Sequence, residues 1–177
     1  MDLSALSAPA QKLLSAPLPL RQMAAKGIAP GLQPADALAV IVAISEGGDA
    51  ALADVAKQTL AAIPAALLSG ALVPTLDPAV LHRIALGTAH DPWVIERILA
   101  LPQLAPETVN ALSETSSEAV TELIAVNQER LIATPSIIEK LYMNASTRMS
   151  TADRILELAV RHKLELLEEA QEEVVRE

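Results

Sequence analysis

A short frame, Pro-x-Leu-x-Pro, recurs along this chain: Pro30-Gly-Leu32-Gln-Pro34, Pro74-Thr-Leu76-Asp-Pro78 and Pro102-Gln-Leu104-Ala-Pro106. Each copy ends where a run of helical periodicity begins. Thr134-Pro135 keeps only the closing proline. The closing prolines at 78, 106 and 135 stand 28 and then 29 residues apart. Proline suits the first position of a helix, because the N–H it lacks would have no intrahelical partner there. Recurrence at such a period marks helical units that stack, each too small to bury its apolar face alone.

The residues between the prolines superimpose. Three residues after them come Leu81, Val109 and Ile138, and six after come Ile84, Leu112 and Leu141. Second helices match as Ile95-Glu-Arg-Ile98, Val120-Thr-Glu-Leu123 and Ile155-Leu-Glu-Leu158. The spacing predicts first helices over 79–86, 106–112 and 135–141, and second helices opening at Asp91-Pro92, Ser116/Ser117 and Ser150/Thr151. An earlier pair is expected over 35–45 and from Asp49 to about Ile63. A short third helix over 65–72 accounts for the longer interval, 44 residues, between Pro34 and Pro78. Pro9, Pro17, Pro19 and Pro30 leave room in the first 29 residues only for short helices, near 10–15 and 20–26, that cover the flank of the stack. Arg161 to Glu177 places six Glu between 165 and 177 beside a narrow stripe of Leu164, Leu167, Ala170/Gln171 and Val174. That pattern reads as an extension of the last helix with a solvated acidic face, or as a helix that pairs with another chain.

The chain is 51 % hydrophobic, drawn from Ala, Leu, Ile and Val, with no Phe, one Trp and one Tyr. Ala and Leu favour helices, and small Ala side chains let helices approach closely. The expected fold is therefore all-α: stacked helix-turn-helix repeats over 30–160, an N-terminal helical cap over 1–29 and an acidic C-terminal capping helix over 161–177. The pattern resembles the α-solenoid class, with helical pairs similar to those of HEAT and armadillo proteins. The resemblance implies a right-handed stack and is one of architecture alone. The period is shorter than those repeats usually have, the Trp-Leu-Gly-Tyr pattern of tetratricopeptide repeats is missing, and no family's binding residues carry over.

Chemistry is sparse. The formal net charge is −9, and the scattered Lys and Arg do not form the cluster that a phosphate backbone requires. No cysteine is present, which excludes thiol catalysis, disulfides and Cys-based zinc sites. His82, His90 and His162 do not share the spacing that puts two metal ligands on one helix face. There is no phosphate-cradling glycine loop and no nucleophile elbow, and pairs such as Glu168-Glu169 sit on a polar tail, whereas paired acid/base work needs a pocket. The uncharged stretch from Gln58 to Leu76 approaches bilayer length, but Pro64 and Pro74 break it into buried helices. No basic, apolar leader pattern opens the chain, and a cytoplasmic setting is expected. Asn144-Ala-Ser146 matches a glycosylation acceptor, but without a leader the match carries no weight.

What remains belongs to binding. Trp93, in the first turn after Asp91-Pro92, is either an exposed interface anchor or a plug between repeats. Tyr142, Met143, Arg148 and Met149 belong to the longest inter-helix loop of the three units. That loop is either a partner-facing strip, since Met adapts to varied surfaces, or an ordinary loop folded onto the core. The expectation is a non-enzymatic module without cofactor or metal, binding another protein or peptide through Trp93, Tyr142, Met143, Arg148 and Met149. The alternative is a structural or oligomerising domain that positions an attached domain, or forms a homodimer, through its C-terminal helix. A helical-repeat enzyme acting on nucleic acid would need a basic groove and aromatics that this chain lacks.

Overall fold

The computed structural model of the chain describes residues 6–63, 65–115 and 117–166, and these are all-α, with no strand among them. Two compact units are formed: Met1–Thr88 with Ala100–Gln103, and Ala89–Leu99 with Leu104–Glu177. The division falls inside the span 30–160 and separates the two helices that follow Pro78.

The first unit contains α1 (Ala8–Leu14), α2 (Leu18–Ala25), α3 (Pro34–Ser45), α4 (Ala50–Ala61), α5 (Ala65–Ala71) and α6 (Pro78–Gly87). Helices α1 and α2 start two residues earlier than the prolines suggested, because Pro9 and Pro19 are accommodated inside the first turn. Helix α3 packs against α1, α2, α4, α5 and α6. Ala37, Leu38, Ala39, Val40, Ile41, Val42 and Ile44 are all buried. A helix apolar on every side has to be central, and each large side chain so buried contributes about 1.5–3 kcal/mol. Side-chain caps fix where the outer helices begin. Asp49 accepts from Leu52 N at 3.2 Å, and Asp77 accepts from Ala79 N at 2.8 Å and Val80 N at 3.3 Å. At the end of α2 Gly27 takes φ 80°, with Gly27 N bonded to Ala24 O and Ile28 N to Met23 O, the double closure that a left-handed residue permits. Thr59 Oγ1 donates to Ala25 O at 2.7 Å and ties α4 to that same end.

The second unit contains α7 (Pro92–Leu99), α8 (Pro106–Leu112), α9 (Glu118–Ala125), α10 (Gln128–Ala133), α11 (Ser136–Met143) and α12 (Met149–His162). Helix α9 packs against α7 and α12, and α8 against α11. Val109, Ile138, Leu112 and Leu141 are buried here, as are their counterparts Leu81 and Ile84 in the first unit. In the second helices Ile95, Ile98, Val120, Ile155 and Leu158 are buried. Leu123 departs from the expected register and is only half-buried, because α9 turns Val120, Thr121 and Ile124 inward instead.

Helix α10 was not anticipated from the sequence. Asn127 starts it by accepting from Arg130 N at 3.0 Å, and it packs on α11 and α12. The last helix does not run on unbroken into the tail. Lys163 adopts φ 54° and ψ 43°, and its N–H and that of Leu164 return to Val160 O and Ala159 O, so the left-handed residue closes α12. Residues 164–166 are not helical, and the rest of the expected acidic helix, 167–177, lies outside the described residues. No helix among the described residues is long and apolar enough to cross a membrane.

Candidate functional site

The edge of the second unit that carries the starts of α9 and α12 is defined by polar ties. Glu118, the first residue of α9, accepts from Arg148 Nε at 2.8 Å and also pairs with Arg148 Nη2. Thr151 Oγ1 donates to Glu122 Oε1 at 2.6 Å. The first turns of the two helices therefore lie side by side. Across the opposite edge, Arg130 Nη2 donates to Leu99 O at 2.9 Å, satisfying a carbonyl at the end of α7. Burial lowers the pKa of Arg130 from its ordinary value, and the guanidinium stays charged at neutral pH all the same. Because α10 begins only three residues after α9 ends, this bond brings the ends of α7 and α9 to one side. Both helices are eight residues long and packed together, so their starts share the other side.

Trp93 occupies the second position of α7. Asp91 Oδ1 accepts from Trp93 N at 3.0 Å and from Val94 N at 3.4 Å, and Val94, Ile95 and Ile98 face the core. That leaves Trp93 turned outward and 49 % exposed, so it plugs no gap. The Arg97 guanidinium lies 4.9 Å from its ring centroid, close enough for a cation–π contact. In the sequence Arg97 is marked only by its place one turn beyond Trp93.

The expected loop from Tyr142 to Met149 is shorter in the structure: Tyr142 and Met143 form the last turn of α11, Met149 opens α12, and only residues 144–148 lie between them. Met143 and Met149 are 64 % and 77 % exposed, while Tyr142 is half-buried. Arg148 is taken up by Glu118, whose hydrogen bond and then charge raise its pKa, so it is a tie within the unit before it is an anchor for a partner. Asn144 holds the loop in place. Its Nδ2 donates to Ser113 O and Thr115 O, each at 2.7 Å, and its Oδ1 accepts from Ser146 N at 2.8 Å. Glycosylation modifies that nitrogen, and both its hydrogens are already engaged. The acceptor sequence is here a structural clamp.

Beside this loop lies an open hollow of about 450 Å³ lined by Glu114, Glu139, Lys140, Met143, Asn144 and Ala145. Lys140 and Glu114 pair across it at 2.7 Å. Among the described residues no group of three or more His, Cys, Asp or Glu is placed to hold a metal ion. His90 and His162 are exposed and His82 is half-buried. The edge thus offers an aromatic face, two thioethers and ion-paired rims, a surface suited to contact. No family model, curated protein or solved structure matches this chain.

Proposed function

We propose that the chain is a non-enzymatic interaction module, and that the second unit binds another protein or a peptide along the edge bearing Trp93, Met143 and Met149. In this reading the second unit is a small right-handed stack of helix-turn-helix repeats of the α-solenoid kind, set in the cytoplasm and independent of any cofactor. Support for the stack comes from the way first helices meet first helices (α8 with α11) and second helices meet second helices (α7 with α9, α9 with α12). The polar ties agree, joining residues 25 to 31 positions apart, about one period. The observation that carries the binding surface is Trp93. In a chain otherwise built of Ala, Leu, Ile and Val, its one indole is half-exposed and stacked by Arg97. Trp and Arg are the residue types most enriched where interfaces concentrate their affinity.

The test is selection of peptides from a displayed random library on the intact protein, followed by titration of synthetic peptides. Anisotropy of fluorescein-labelled peptide reads binding to the wild type and to both variants alike, including Trp93→Ala, which leaves the chain without an indole. Selected peptides are expected to bind at least tenfold more weakly to Trp93→Ala and Met149→Ala. Peptides that bind both variants as tightly as the wild type would refute this surface.

A further inference from the structure

The chain has no cysteine and four methionines, Met1, Met23, Met143 and Met149. No thiol is therefore present to take up an oxidant ahead of the thioethers. Met1 lies outside the described residues. Of the other three, Met149 is 77 % exposed and Met143 64 %, against 40 % for Met23 on α2. Met149 is the most exposed large apolar side chain among the described residues.

Position keeps both side chains out of the packed interior. Met143 is the last residue of α11 and Met149 the first of α12. Helix α11 buries Ile137, Ile138 and Leu141 instead, and α12 buries Ala152, Ile155, Leu158 and Ala159. The segment joining the two helices is held by the Asn144 amide, the Arg148 to Glu118 pair and the Thr151 to Glu122 bond. None of these ties uses a methionine, so a chemical change at either thioether leaves them in place. Oxidation disrupts a protein where the methionine fills a core, and neither of these does.

We propose that Met143 and Met149 form an oxidation site, at which a peroxide switches the edge from apolar to polar. A thioether lone pair attacks one oxygen of hydrogen peroxide. An S–O bond forms, the O–O bond breaks, and the displaced hydroxide takes the proton of the transferred oxygen and leaves as water. Sulfur loses two electrons and peroxide gains them. The product is a sulfoxide, polar, chiral and reducible by enzymes specific for each epimer. A dithiol then supplies the two electrons, and the oxygen leaves as water. The effect on binding rests on the reading of the edge given above. An apolar partner seated on Met143 and Met149 would strip water from the sulfoxide oxygens without replacing their hydrogen bonds, which is unfavourable.

The test treats the intact protein with dilute hydrogen peroxide. Trypsin, cutting after Arg21, Lys26, Lys140, Arg148 and Arg154, puts Met23, Met143 and Met149 on separate peptides for mass spectrometry. Oxygen is expected on Met149 and Met143 before Met23, with the far-UV circular dichroism and the urea midpoint unchanged. Oxidation of Met23 first would overturn the site, as would a fallen midpoint while only Met143 and Met149 carry oxygen. A peptide selected on the untreated protein is expected to bind the oxidised protein about tenfold more weakly, and treatment with both epimer-specific reductases restores its affinity. Oxidised Met23→Leu loses as much. Met143→Leu with Met149→Leu, compared with itself before and after peroxide, loses none. Equal affinity of the wild type before and after oxidation would overturn the switch, and so would a loss that persists in the Met143→Leu, Met149→Leu protein. A selection that yields no peptide refutes the surface, and the switch with it, while the order of oxidation still decides the site.

Discussion

The two units bury their apolar surface in different ways. In the first, one helix is the core: α3 is enclosed by five others, and its buried residues leave it no outward face. In the second, no helix among the described residues is enclosed by five others. Its helices meet their counterparts one period along, and each keeps a polar side, as α12 does with Arg154, Glu157 and Arg161 exposed. Centralised burial concentrates stability in a few residues. Distributed burial spreads it over many and leaves long edges free for contact.

The sharpest test of that contrast is truncation at the centre. Ile41→Ala should cost about 4 kcal/mol, near the upper end for a buried Ile, and amide exchange should accelerate throughout the first unit. Exchange that accelerates only around α3 would mean that its neighbours stand without it. In the second unit Ile138→Ala should cost about 3 kcal/mol, with exchange changing most in α8, α11 and α12. An unaltered urea midpoint would remove Ile138 from the repeat register. Asn144→Ala comes next, at about 2 kcal/mol, because two carbonyls lose their donor. If the melting temperature is unaffected, water replaces the clamp and the loop is not held by it. The smallest effect is expected at Trp93→Ala: under about 1 kcal/mol, the scale of an exposed cation–π contact with its ring. A loss of several kcal/mol would mean that the indole supports the fold.

Much of the second unit was legible because proline and acidic caps punctuate it. Helix α8 begins and ends where the sequence predicts, at Pro106 and Leu112, and Asp91-Pro92 set the first turn that turns Trp93 outward. Three features escaped for physical reasons. Helix α10 has six residues and one cap, too few for a periodic signal. The rotation of α9 that buries Ile124 over Leu123 depends on its neighbours, since both residues are equally apolar. The partner of Arg148 lies 30 residues away, and nothing in the local sequence names it. In the first unit the recurring prolines drew attention to a repeat, while the run from Ala37 to Ile44 pointed to a helix with no exposed face.

The ties of one period in the second unit bear on how its length can change. No side-chain bond among them joins residues more than 31 apart, so each bond needs only the adjoining unit to be present. Inserting or deleting one whole period would leave the remaining ties matched, whereas a change of half a period would put every tie beyond it out of step. The same locality shortens the loops that must close during folding, which lets order spread from any nucleus to its neighbours. On the repeat reading proposed above, the second unit can therefore gain or lose length in whole periods. The first unit, with α3 at its centre, can only be kept whole.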